Sequence, residues 1–250
     1  MKLIEKTKRE GDDFGASRAR RTAVVIPTLN EAATIGAVID EIPRQIASEI
    51  IIADGGSRDG TAEVARRAGA RTIAVGGSGY GRACRMGAAA ASPGTDIIVF
   101  LDGDGADRAD LLPHLVSPIV AGTHDFVLAS RTLGEREPGA MLWHQVVAGR
   151  LIGAAIRART GIRYTDMCAF RAIRRDSLAA LEMREMGYGW NLEMQVRAAL
   201  AGLRISEVAM PYRCRAGGRS KVAGSLTGTL RAGARILIVL ARVMRQRKRP

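Results

Sequence analysis

Aromatic residues are scarce in this chain, with Phe, Trp and Tyr together making up 4% of 250 residues. Stacking platforms for unpaired bases are therefore few, and no nucleic-acid-binding motif occurs, so a nucleic-acid module is disfavoured in spite of the charge. Cysteine is also rare. Cys84, Cys168 and Cys214 are far apart and make neither a disulfide framework nor a metal-ligand spacing, which points to a reducing, cytoplasmic compartment. No signal-like apolar stretch follows Met1. Nowhere do about 18 uncharged apolar residues run together, so no segment is expected to span a bilayer. The glycine run Gly76-Gly77-Ser78-Gly79-Tyr80-Gly81 lacks the Gly-Lys-Ser/Thr that closes a Walker A loop, and reads as either a flexible loop or, from its GxG, a weak dinucleotide signal. Acid is short as well: 25 Asp and Glu face 38 Lys and Arg, for a net charge of +13. Anionic partners are expected, either phosphorylated substrates or an acidic membrane surface.

What is present is a rhythm of strands and helices. Ala23–Pro27, Ile50–Asp54, Arg71–Val75, Ile97–Leu101 and Asp125–Arg131 read as strands. Between them, Ile35, Val38, Ile39 and Ile42, then Val64 and Ala65, an alanine-rich stretch to Ala91, and Ala109 to Val120 follow helical spacing. This alternation predicts an α/β fold with a mainly parallel, doubly wound sheet flanked by helices. Beyond Arg131 the sequence predicts a helix over Leu142–Arg159, a short strand at Cys168–Arg171, a helix over Asn191–Ala201 and a strand over Leu203–Ala209. Residues 1–21 read as a basic disordered arm, 22–224 as the α/β domain, and 225–250 as an amphipathic basic C-terminal helix. That helix suits either an anionic membrane surface, without crossing it, or packing on the domain.

The chemistry concentrates at strand ends. Five apolar residues, Ile97 to Leu101, deliver Asp102-Gly103-Asp104 to the carboxyl end of a buried strand, where ligands of open α/β sheets sit. Two carboxylates at i and i+2 suit a hard divalent cation, Mg²⁺ or Mn²⁺, that carries substrate phosphates. A plain polar turn is the alternative. A second strand ends in Asp54, a fifth in Arg131. The loop Pro211–Lys221, with Arg213, Arg215, Arg219 and Lys221, can wrap phosphate groups or lie as a solvated basic surface.

Taken in order, Val25-Ile26-Pro27-Thr28-Leu29-Asn30-Glu31, Asp54-Gly55-Gly56-Ser57-Arg58-Asp59-Gly60-Thr61, Asp102-Gly103-Asp104, Thr165-Asp166 before Phe170-Arg171, and Arg215 before Ser220-Lys221 resemble family 2 inverting glycosyltransferases. The likeness runs over residues 22–224 and is to the GT-A fold, in particular its dolichyl-phosphate mannose synthase branch. It implies that Pro27, Asn30, Glu31 and Asp54 line a nucleotide pocket that Arg82 and Gly87 close. It implies that Asp102 and Asp104 form the DxD motif that holds the ion against the donor diphosphate. Arg131, Arg215 and Lys221 match cations near the phosphates, and Asp166 an acceptor-side carboxylate. Three departures stand out: Gly55 where the family has a second Asp, Ala106 where the branch often has a Gln ligand, with Asp107 next to it as a substitute, and one residue fewer between Asp166 and Phe170.

The resemblance implies transfer of a sugar from a UDP- or GDP-linked donor to a lipid acceptor, polyprenyl phosphate above all, by an enzyme peripheral on the cytoplasmic membrane face. An alcohol acceptor would instead need a base, and Asp166 is the candidate. A nucleotidyltransferase also pairs aspartates with an α/β sheet, but its glycine- and arginine-rich opening loop is missing here.

Overall fold

The structure is a computed structural model that describes residues 21–77, 79–217, 238 and 242. The arm 1–20, Lys221 and nearly all of the C-terminal helix expected over 225–250 lie outside the described residues.

A seven-stranded sheet runs in the order β3-β2-β1-β4-β6-β5-β7. Its strands are β1 (Arg21–Thr28), β2 (Ala47–Asp54), β3 (Arg71–Ala74), β4 (Thr95–Phe100), β5 (Phe126–Ser130), β6 (Arg171–Arg174) and β7 (Ile205–Ala209). Every neighbouring pair is parallel except those of β6, which lies antiparallel between β4 and β5. The predicted α/β class and mainly parallel sheet are what the chain forms. The sixth strand starts at Arg171, three residues later than its sequence suggests, and β1 begins at Arg21, inside the expected arm.

The strands are apolar on both sides because both faces are covered. Alternate residues of β1 go opposite ways. Val24 and Ile26 join Ile35 and Ile39 of α1 (Ile35–Glu41), Ala65 of α2 (Thr61–Arg67) and Leu115 and Ile119 of α4 (Leu112–Val120). Ala23 and Val25 join Cys84 of α3 (Tyr80–Ala89), Ile152 and Ile156 of α5 (Trp143–Thr160), Leu178 of α6 (Arg175–Ala180) and Met194 and Val196 of α7 (Trp190–Leu200). The helix expected over residues 109–120 opens as a 3-10 turn, Ala109–Leu111, and becomes α-helical at Leu112, with Pro113 in its first turn, where the missing N–H costs no intrahelical bond, and Pro118 farther inside.

Gly87 is placed by packing. It is buried in α3 against the sheet, and a Cβ there would stand 2.3 Å from Val25 Cγ1 and 3.4 Å from Ala53 Cβ. Neither neighbour has a flexible end that could yield. Gly87→Ala is therefore expected to destabilise the protein by about 1–3 kcal/mol, the usual cost of overpacking. Urea unfolding reads this as a lower midpoint with an unchanged slope. An unchanged midpoint would mean that α3 is not seated on β1 as described.

Candidate active site

Because β1, β2, β4, β5 and β7 share one direction, their carboxyl ends meet at one edge. That edge collects Thr28, Asp54, Asp102, Arg131 and the loop after Ala209. β6 runs the other way, with Phe100 and Leu128 both opposite Arg171, so its start lies at this edge and brings Asp166–Phe170 with it. Arg171 is fully buried, and its guanidinium donates to the carbonyls of Cys168, Ala169 (3.3 Å) and Asn191 (3.1 Å). It ties the Cys168–Ala169 segment to the start of α7.

On the β1–β2 side, the two strand-end loops are stapled together. Asp54 accepts from the Thr28 hydroxyl at 3.3 Å, from the Ser57 amide at 3.1 Å and from the Ser57 hydroxyl. Asn30 adopts φ 53°, a left-handed conformation that asparagine tolerates better than most residues. There its amide donates to Ser57 Oγ at 2.8 Å, and its side chain accepts from the Arg58 amide at 2.9 Å. The Glu31 amide donates to Thr61 Oγ1 at 2.9 Å. Pro27 sits within β1 opposite Ala53. The Gly55 amide donates to the Thr28 carbonyl at 2.9 Å, and a Cβ on Gly55 would crowd that oxygen at 3.3 Å. An aspartate here, as the family usually has, would need this turn to shift.

Beyond β4 the carboxylates gather. Asp102 accepts from the Tyr80 hydroxyl at 3.2 Å. Asp104 accepts from the Ala106 amide at 3.0 Å and from Arg215 Nη2 at 2.7 Å. Burial, and then the charge of Asp104, push the Asp102 carboxyl up to about 6, while Tyr80, Arg215 and Arg131 pull it back. Burial, then Asp102 and Asp104, push Asp107 up to about 7. Asp107 faces the Cys168 thiol at 3.6 Å. Among the described residues no three His, Cys, Asp or Glu side chains come together as metal ligands, so Asp107 does not complete a three-carboxylate set. Two hard oxygen donors in a pocket whose carboxylates outnumber the one arginine paired with them fit a divalent ion that carries a diphosphate.

On the β5 side, Arg131 forms a bidentate pair with Asp166, Nε to Oδ2 and Nη2 to Oδ1, both at 2.7 Å. The Arg131 and Met167 amides also donate to this carboxylate, at 3.0 and 2.7 Å. Burial works to raise Asp166, yet the Arg131 pair and these amides hold it below the ordinary carboxylate value. Glu207 of β7 fixes the loop by accepting from the Thr165 amide at 2.9 Å and the Asp166 amide at 3.3 Å, and Gln195 donates to the Asp166 carbonyl at 2.8 Å. Arg131 also lies over the Tyr212 ring, 5.0 Å from its centre.

The loop after β7 crosses this floor. The Arg213 guanidinium grips Glu41 at 2.7 and 3.0 Å, the Cys214 amide donates to Glu137 at 2.6 Å, and the Ala216 amide donates to the Asp104 carbonyl at 3.1 Å. Of the residues singled out from sequence, the edge thus brings together Pro27, Asn30, Glu31 and Asp54 on one side and Asp102, Asp104, Arg131, Asp166 and Arg215 on the other. Exposed Arg82 reaches the Gly76 carbonyl at 3.4 Å, Gly87 lies under the sheet, and Lys221 is outside the described residues. Gly79 and Gly81 are explained by close backbone contact: a Cβ on either would meet the Met186 or Glu185 carbonyl at 2.4–2.5 Å. In the C-terminal segment, for which the sequence leaves both membrane contact and packing on the domain open, Arg242 reaches Glu185 at 3.3 Å and Glu193 at 3.8 Å. Among the described residues no helix is long and apolar enough to cross a membrane. Tyr80, Tyr212 and Glu207 escaped the sequence reading, since each acts through a partner remote in the chain.

Comparison with known proteins agrees with this geometry. The family described as Glycosyl transferase family 2 matches residues 23–181. An uncharacterized glycosyltransferase of Mycobacterium tuberculosis is 36% identical over 210 residues, covering 83% of this chain and 92% of the relative. The undecaprenyl-phosphate mannosyltransferase of Micrococcus luteus is 31% identical, covering 83% and 90%. Among solved structures, glucosyl-3-phosphoglycerate synthase from M. tuberculosis, in complex with Mn²⁺, UDP and glucosyl-3-phosphoglycerate, superposes with a TM-score of 0.71 at 27% identity, covering 90% of this chain and 80% of the other. The sheet, the paired aspartates at its edge and these likenesses agree: the chain belongs to glycosyl transferase family 2 and is a glycosyltransferase.

Proposed function

We propose that the chain moves a sugar from a UDP- or GDP-linked donor to a polyprenyl phosphate, with inversion at the anomeric carbon. The observation that carries this reading is the commitment of Asp166 to Arg131. An alcohol acceptor must lose a proton to a base as it attacks. Asp166 is poorly suited to take one, because both of its oxygens accept hydrogen bonds and its proton affinity is lowered. A phosphate acceptor is already ionised, and its difficulty is repulsion from the donor diphosphate. Cations solve that difficulty, and Arg131 is one held rigidly at the edge by Asp166 and Tyr212. The Micrococcus relative named for undecaprenyl phosphate supports the same acceptor class.

In this reading the loops around Asn30, Glu31 and Asp54 receive the nucleoside, and Pro27 and Arg82 border them. Asp102 and Asp104 hold Mg²⁺ or Mn²⁺, which when bound neutralises the charge that develops on the leaving diphosphate. Tyr80 orients Asp102 by its hydrogen bond. Arg215, and Lys221 later in the same basic loop sequence, take phosphate oxygens. The basic segment 225–250 serves as a peripheral contact with an anionic membrane on the cytoplasmic face. Membership of the glycosyltransferase family removes the nucleotidyltransferase alternative. Transfer to an alcohol, with Asp166 as base, is the second reading, and the structural likeness to a synthase solved with glucosyl-3-phosphoglycerate favours it.

Two outcomes are expected. Asp104→Asn keeps the shape of the loop but removes a charged ligand, so nucleoside diphosphate release in Mn²⁺ or Mg²⁺ should fall by about a hundredfold or more while the chain stays folded. Full turnover in a chelator would reject the metal role. Arg131→Ala and Asp166→Asn should each lower kcat/KM for polyprenyl phosphate by about ten- to hundredfold, and the double variant should be no worse than Arg131→Ala, because the two act as one unit. If Asp166→Asn alone abolishes transfer while Arg131→Ala keeps a near-normal rate, the alcohol reading with Asp166 as base is the better one.

A further inference from the structure

We propose that Arg215 is a resident stand-in for the divalent cation: its guanidinium holds Asp104 until metal and diphosphate arrive together, and then passes to the diphosphate. The inference rests on the donor reading above and assigns Arg215 a second duty within it.

The argument begins with Asp104, which is 5% exposed. One of its oxygens is fixed by its own loop, through the Ala106 amide at 3.0 Å; the other is held by Arg215 Nη2 at 2.7 Å. A carboxylate this buried, with Asp102 and Asp107 close by, is costly to leave without a cation. Arg215 supplies one. Yet the oxygen it holds is the one that a metal could gain only by displacing a side chain, since the backbone amide stays where the loop puts it.

Arg215 is also built to leave. Its side chain is 34% exposed, whereas the loop that carries it is anchored by other groups. The Arg213 amide donates to the Ala106 carbonyl at 3.0 Å, the Arg213 guanidinium grips Glu41, the Cys214 amide donates to Glu137, and the Ala216 amide donates to the Asp104 carbonyl. The guanidinium can therefore swing away while the backbone keeps its place. What decides whether it does is charge. A metal arriving alone would leave Arg215 unpaired beside a second cation. A metal arriving with a diphosphate gives the guanidinium a new anionic partner, with the bidentate geometry that arginine favours. Arg215 thus opposes metal alone and favours metal with nucleotide, which is a coupling between two ligands at one site.

The consequence is a reversal of sign that a merely structural residue would not produce. With the full-length chain, Mn²⁺ binding is measured calorimetrically and from the spin-resonance signal of free Mn²⁺, first alone and then with UDP or GDP. Arg215→Gln should bind Mn²⁺ alone about tenfold tighter than the unaltered protein and Mn²⁺ with nucleoside diphosphate about tenfold weaker, the scale of one charge-assisted contact. Arg215→Lys, which keeps the charge, should stay close to the unaltered protein for Mn²⁺ alone and guards against misfolding of the Gln variant. Arg213→Ala loosens the loop without removing the cation from Asp104, and should show no reversal. The proposal is overturned if Arg215→Gln gains nothing for Mn²⁺ alone, or if both affinities fall together. Should the unaltered protein bind Mn²⁺ under neither condition, the donor reading falls with it. If the unaltered protein binds Mn²⁺ with UDP or GDP and only the reversal is missing, the donor reading stands.

Discussion

Like charges crowded at the end of a buried sheet repel one another, and the rest of this site is arranged around that repulsion. Asp102, Asp104 and Asp107 lie within a stretch of six residues just beyond β4, and burial with mutual repulsion lifts Asp102 and Asp107 well above ordinary carboxylates. A fold can retain such a cluster only if cations are close. Two arginines meet that need from different strands, Arg131 at the end of β5 and Arg215 beyond β7. The site is thus strained toward cations and, through its arginines, toward anions as well. A metal diphosphate presents both.

The sheet topology makes this possible. Parallel strands place their carboxyl ends at one edge, so residues as distant in sequence as Asp54, Asp102 and Arg131 become neighbours by direction alone. The antiparallel β6 adds what a purely parallel sheet could not, a strand start at the same edge, and with it Asp166. Glu207 and Gln195 then fix the Asp166 loop from β7 and α7. The result is a carboxylate paired at both oxygens with an arginine, which in the proposed reading positions Arg131 rather than taking a proton.

Much of this was legible in the sequence. The strands that end in Asp54, Asp102 and Arg131 are apolar runs stopped by a charge, and apolar runs of that length between glycine-rich turns mark buried parallel strands. What escaped was set by contacts between remote residues. The start of β6 was misread because Arg171 and Arg174 leave no alternating pattern in four residues, and nothing local says that Arg171 is buried among carbonyls. Gly87 stands among small residues, and nothing local in the sequence shows how closely α3 lies on Val25 there. Asp166 could be named but its partner could not, since the pair spans 35 positions. Tyr80 was hidden in a glycine-rich run that reads as a loop.

The central claim, that an anionic lipid phosphate accepts the sugar, is tested most directly by following the sugar itself. Labelled UDP- and GDP-sugars are offered to the full-length chain with Mn²⁺ and polyprenyl phosphate, and the label is partitioned between water and an organic solvent. The account predicts label in the organic phase only when the cation and the lipid phosphate are both present, released by mild acid as expected for a sugar joined through phosphate. Label that stays in water on a hydroxyl acceptor, with the lipid phosphate making no difference, would contradict it.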